Sequence, residues 1–171
     1  MKLTIESNYL IILGVIAILV IGIMAFYKPT VTGNLSKNLN TEFSGEQIEV
    51  FYGDGCGCCV SYISYLKSAG LNVKATKLAD LYSTKKELNI PSNMQSCHTV
   101  RIGNYFVEGH VPIEAINKLL EEQPEIDGIA LPGMPSGSPG MPGTKTVFTI
   151  YSVKDGQATE VFMQLWKKTY F

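Results

Sequence analysis

Three of the chain's four cysteines fall within four residues, Cys56-Gly57-Cys58-Cys59. A strand-like run, Ile48-Glu49-Val50-Phe51-Tyr52, precedes them, and a helix-like run that stops near Gly70 follows. The cysteines therefore mark a strand-to-helix loop and the first turn of the helix. The fourth, Cys97, lies in Ser96-Cys97-His98-Thr99, just ahead of another strand-like run. This pattern implies a set of soft sulfur ligands held at a helix N-terminus and completed from a second loop.

A second feature divides the chain. Ser7 to Tyr27 carry no charge and are mostly apolar. About twenty apolar residues cross the roughly 30 Å hydrocarbon core of a bilayer as a helix, so residues 8–27 read as an uncleaved transmembrane signal anchor. The rival is a cleaved signal peptide. Only Lys2 marks the n-region, however, and no small-x-small site stands out after Met24-Ala25-Phe26. No cysteine directly follows the run, so a lipoprotein is not indicated. Lys2 on one side and Lys28 and Lys37 on the other nearly balance the positive-inside count. The expectation is a single-pass membrane protein with its C-terminal domain on the extracytoplasmic face, where cysteines can be oxidised. The net charge of −1 and the lack of a basic face exclude nucleic acid as a partner.

Residues 28–46, rich in Thr, Asn, Ser and Gly, read as a flexible linker. A domain over 47–130 follows. Val60, Ile63 and Leu66 recur at three-residue steps and predict one buried face for the first helix. Leu71 to Leu78 reads as a strand, with Leu71, Val73 and Ala75 facing inward. Asp80 can cap a second helix that runs to Leu88 and stops before Pro91. Gly103-Asn104 is suited to a two-residue hairpin turn between strands 99–102 and 105–108. Pro112 suits the first turn of a third helix, which Pro124 ends. The order β-α-β-α-β-β-α is the thioredoxin-like plan, an α/β fold with its first two strands parallel. In that plan the loop before the third strand approaches the first helix, so all four sulfurs are expected to meet. Residues 131–144, almost all Gly, Pro, Ser and Met, form a loop with no regular element. Thr146 to Ser152 and Thr159 to Gln164, with Asp155-Gly156 between, predict a hairpin within a C-terminal extension over 145–171.

Several chemistries fit these residues. Cys56 and Cys59 form a C-x-x-C pair at a helix N-terminus, where the dipole favours thiolate, so an anchored thiol–disulfide oxidoreductase is open. That reading leaves Cys58 and Cys97 without a part. A structural disulfide with two spare thiols is a blander alternative. Four thiolates suit Cu(I), zinc or an iron–sulfur cluster. The C-x-C-C spacing is unlike the separated pairs of structural zinc sites or the usual ferredoxin spacings. Thiolates shared between several Cu(I) ions fit it better, and a structural zinc domain is kept as an alternative. His98 is a candidate fifth ligand, though strand neighbours point to opposite faces, so contact with the same ion as Cys97 needs a bend. His110, ahead of Pro112, reads as structural. Met94, Met134 and Met141 are soft thioethers whose commoner fate is gap filling, but a loop carrying two of them can fold over the site as a lid. With no substrate pocket readable, a binding protein is preferred to an enzyme.

Four motifs in register also carry a resemblance: Cys56-Gly57-Cys58-Cys59 after a strand, Ser96-Cys97-His98-Thr99, Val107-Glu108-Gly109-His110-Val111-Pro112, and Leu131 to Met141. Over about Ile48 to Met141 the chain resembles the CopG-type copper-resistance proteins, formerly a domain of unknown function. The resemblance implies a thioredoxin-like fold, an exported compartment, and tolerance to excess copper through a multi-copper thiolate cluster, with copper redox cycling. Carried over by residue, it points to Cys56, Cys58, Cys59 and Cys97, and less directly to His98. A copper-handling protein partner is implied but not specified. Family members are often soluble, whereas this chain reads as anchored, and Lys145 to Phe171 match no family motif.

Overall fold

A computed structural model of the chain describes residues 47–144 and 147–165. The expected anchor (8–27) and linker (28–46) lie outside the described residues. No helix among the described residues is long and apolar enough to cross a membrane.

Seven strands form one mixed sheet in the order β2-β1-β3-β4-β5-β6-β7. The strands are β1 (Ile48–Tyr52), β2 (Val73–Lys77), β3 (His98–Ile102), β4 (Tyr105–Glu108), β5 (Gly128–Ala130), β6 (Phe148–Lys154) and β7 (Gln157–Leu165). Helices α1 (Gly57–Ser68), α2 (Leu81–Glu87) and α3 (Ile113–Glu122) connect them, with a short 3-10 turn at Ser92–Met94. β1 and β2 are parallel, as expected for strands joined through a helix. β3 and β4 form the expected hairpin across Gly103-Asn104, with Ile102 opposite Tyr105 and Thr99 opposite Glu108. Asp80 caps α2 by accepting the Tyr82 and Ser83 N–H groups.

The core lies on both sides of the sheet. Val50, Val100, Val107 and Ile129 pack with Leu66 of α1 and Ile116 of α3. Phe106 and Ala130, neighbours of Val107 and Ile129 along their strands, instead join Ile90, Met94 and Val153. That split follows from the two-residue period of a strand.

The structure departs from the sequence reading at three places. Val60 is 54% exposed, and the buried face of α1 is Cys59, Tyr62, Ile63 and Leu66. Those residues follow the i, i+3, i+4, i+7 stripe of a helix, whereas strict three-residue steps drift off that face. Ala75 is exposed, because β2 is one of the sheet's two edge strands. Gly128–Ala130, unassigned in the sequence reading, is β5, parallel to β4 and antiparallel to β6. The C-terminal hairpin is present, turning at Asp155 and Gly156 with both residues at positive φ. Through β5 it continues the main sheet.

Candidate metal centre

Cys56 sits at the N-cap of α1, and Cys58 and Cys59 fall in the first turn. The loop before β3 brings Cys97 to the same point. Cys58 Sγ lies 3.5 Å from Cys56 Sγ and 3.8 Å from Cys97 Sγ. Cys59 Sγ lies 3.5 Å from the Cys97 carbonyl oxygen. All four sulfurs are within 4.8 Å of one another. Cys56 and Cys59 are joined as a disulfide, with Cα atoms 5.3 Å apart, while Cys58 and Cys97 are free thiols.

A second group shares Cys97. His98 Nδ1 is 3.3 Å and His110 Nε2 3.1 Å from Cys97 Sγ. Cys97 precedes β3 and His98 begins it, so the chain bends there and both side chains reach one place. Both imidazoles are buried and meet edge to face, 4.7 Å between centroids. His110 Nδ1 donates to the Pro139 carbonyl at 2.7 Å, which leaves its Nε2 lone pair facing Cys97. A ring nitrogen tied to a carbonyl with the other free is the arrangement found around metal-ligating histidines. His98 Nε2 is buried without a hydrogen-bond partner.

Burial sets the charge state. It pushes the Cys97 thiol up to about 11, and the neighbouring Cys58 thiol adds to the effect. It pushes His98 down to about 3, reinforced by His110 and Lys85, and lowers His110 as well. Metal-free, Cys97 and both histidines are therefore neutral, and a thiophilic cation would bind by displacing a thiol proton.

Two further charged residues stand behind the site. Glu108 of β4 and Lys85 of α2, both buried, form an ion pair. Glu108 Oε1 accepts the Ser96 N–H at 2.6 Å, and Glu108 Oε2 accepts the Thr99 hydroxyl at 2.6 Å. Lys85 Nζ also donates to Thr99 Oγ1 at 2.9 Å. Burial raises the Glu108 carboxyl, against the lowering pull of Lys85 and its other hydrogen bonds.

The structure brings together all five residues singled out in the sequence, Cys56, Cys58, Cys59, Cys97 and His98. It adds His110, which the sequence reading treated as structural. Met94 is buried in the second core cluster and Met134 is 43% exposed. The Gly/Pro/Met loop reaches α1 through Gly140, packed against the Tyr62 N–H and the Cys58 carbonyl.

The fold and site define a mixed α/β domain that gathers soft ligands from two loops at a helix N-terminus. The family described as "Protein of unknown function, DUF411" matches residues 94–141. Two solved structures match over most of the chain. "Copper resistance protein copG- Form 1" is 38% identical with a TM-score of 0.65, covering 71% of this chain and 98% of that one. "Copper resistance protein copG- Form 2" is also 38% identical, with a TM-score of 0.64 and coverages of 70% and 97%. No curated protein matches. The chain belongs to the CopG-type copper-resistance family.

Proposed function

We propose that this protein is a membrane-anchored copper-binding protein of thioredoxin-like plan, which holds Cu(I) for copper tolerance. The observation that carries the reading is the meeting of four sulfurs from two loops within 4.8 Å. With the Cys56–Cys59 disulfide reduced, Cys56, Cys58, Cys59 and Cys97 supply four thiolates, too crowded to surround one ion tetrahedrally and suited to bridging several Cu(I) ions. His98 and His110 flank Cys97 with nitrogen donors. Nitrogen beside sulfur also suits Cu(II), which supports copper redox cycling as part of the role. Residues 8–27 anchor the chain and place the domain on the extracytoplasmic face, where copper ions are its ligand and a copper-handling protein its partner.

The test is metal analysis of the reduced full chain loaded anaerobically with Cu(I) or Zn(II), beside a Cys97→Ser variant. More than one copper per chain, reduced in the variant, supports the shared cluster. One tightly held zinc in place of copper overturns it in favour of a structural zinc domain.

The Cys56–Cys59 disulfide favours a second reading, an anchored thiol–disulfide oxidoreductase. That reading predicts disulfide-exchange activity surviving Cys97→Ser, whereas the copper reading predicts loss of metal in the same variant.

A further inference from the structure

We infer that the buried Lys85–Glu108 pair is a positioning device for Cys97: through the Ser96 N–H it fixes where the fourth sulfur meets the other three. The inference deepens the copper reading and rests on it for its copper readout alone.

The pair is not explained by stability. Lys85 and Glu108 are 4% and 0% exposed, and a buried ion pair adds little over apolar residues of similar volume. What this one does locally is specific. Glu108 takes the Ser96 N–H on one oxygen and the Thr99 hydroxyl on the other, while Lys85 holds that same carboxylate and the Thr99 oxygen. Ser96 and Thr99 bracket Cys97-His98, so one carboxylate grips the metal-facing segment at both ends. Opposite Thr99 in the β3–β4 register, Glu108 is carried to this spot by the hairpin itself.

The grip matters because Cys97 lies outside the strand ladder. Cys56, Cys58 and Cys59 are placed by α1 and its N-cap. Cys97 is placed by its loop. Its distances to Cys58 (3.8 Å), His98 (3.3 Å) and His110 (3.1 Å) all depend on where that loop stands. A charge-assisted bond to a backbone N–H is among the stronger single restraints a loop can have.

Two paired variants of the full chain separate gripping from charge balance. Lys85→Met/Glu108→Gln removes both charges but keeps an oxygen for the Ser96 N–H. Lys85→Met/Glu108→Leu removes both charges and the acceptor. Positioning is read first without copper, as the rate of Cys97 alkylation by a maleimide. A Cys58→Ser background with the Cys56–Cys59 disulfide intact leaves Cys97 the single free thiol. The Gln pair stays within about twofold of the parent rate, while the Leu pair reacts at least about tenfold faster, as expected for losing one hydrogen bond to a charged group. With four cysteines present and reduced, copper per chain in the Leu pair falls to the level of Cys97→Ser. A folded Leu pair whose Cys97 alkylates at the parent rate overturns the inference. If the Leu pair does not fold, Ser96→Pro removes the N–H donor together with the hydroxyl that lies 4.0 Å from Cys97 Sγ, and is compared with Ser96→Ala, which removes the hydroxyl only; Gln95 already has the extended conformation a following proline requires (φ −67°, ψ 146°). The same tenfold criterion decides. A parent chain that takes up no copper overturns the proposed function instead, and the alkylation comparison still decides the positioning.

Discussion

Gly140→Ala tests whether the Gly/Pro/Met loop is seated on α1, the helix that carries Cys58 and Cys59. Gly140 has φ +80°, and a methyl there meets the Tyr62 nitrogen at 2.7 Å and the Cys58 carbonyl oxygen and Tyr62 Cα at 3.0 Å. These are backbone atoms of α1 and cannot turn aside. Gly133, in the same loop, also has φ +80°, but a methyl there meets nothing within 4 Å. Both substitutions carry the left-handed backbone cost of about 1–2 kcal/mol. Only Gly140→Ala also forces the loop off α1, which strains the bond from His110 to the Pro139 carbonyl beside it. Overpacking adds about 1–3 kcal/mol, and a buried ring N–H left without its acceptor adds about 1–3 kcal/mol more. The expected destabilisation is therefore about 3–8 kcal/mol for Gly140→Ala against about 1–2 kcal/mol for Gly133→Ala. The two differ by the unshared terms, about 2–6 kcal/mol, which at roughly 3 °C per kcal/mol for a chain of this size is about 6–18 °C in Tm. Reversible thermal unfolding of the metal-free chain, followed by circular dichroism, measures this. Midpoints of the two variants within about 2 °C would refute the seating of the loop, since the shared backbone term would then account for everything.

Cys97→Ser is expected to lower copper per reduced chain, measured by elemental analysis after anaerobic loading, while Met134→Ala leaves it unchanged because that side chain is exposed. His110→Ala is expected to weaken Cu(I) retention against a competing chelator by about 10- to 100-fold, the usual loss for a ligand or its supporting partner; retention equal to the parent would remove His110 from the site. In the metal-free chain, His98 contributes a pH dependence of known sign. Burial lowers its pKa from 6.5 to about 3, so the unfolded state binds the proton first and stability falls as pH drops from about 6.5 towards 3. The slope approaches about 1.4 kcal/mol per pH unit. Urea unfolding between pH 7 and 4 should therefore give a flatter profile for His98→Asn than for the parent, and equal slopes would refute neutral burial of His98.

What the sequence disclosed depended on how far apart the cooperating residues were. Local signals worked: Asp80 announced its helix, Gly103-Asn104 its hairpin, and three cysteines in four residues their helix start. Signals that need a full period failed when read too coarsely. Three-residue steps selected Val60, while Cys59, Tyr62, Ile63 and Leu66 held the buried stripe. β5, three residues long, is too short for any alternation to register, and its partners lie on distant strands. Lys85 is one of two adjacent lysines in a polar helix, and its burial against Glu108 follows from the way α2 meets the hairpin.

His110 is the instructive case, because its place was within reach of local reasoning. A two-residue turn at Gly103-Asn104 puts Ile102 opposite Tyr105, and each outward step pairs the next residues until Thr99 faces Glu108. One further step sets His98 against Gly109, where the Gly109 N–H donates to the His98 carbonyl at 3.1 Å. The step after that sets Cys97 beside His110, and the sulfur and the ring nitrogen are indeed 3.1 Å apart. The turn that fixes the register therefore also brings the Cys97 and His110 positions side by side, with no long-range information needed. The sequence does not disclose which nitrogen faces the sulfur. That depends on the Pro139 carbonyl, in a loop without periodicity and twenty-nine residues further along the chain. The hairpin brings His110 beside Cys97; the Gly/Pro/Met loop, through the Pro139 carbonyl, selects the tautomer that turns the Nε2 lone pair towards the sulfur.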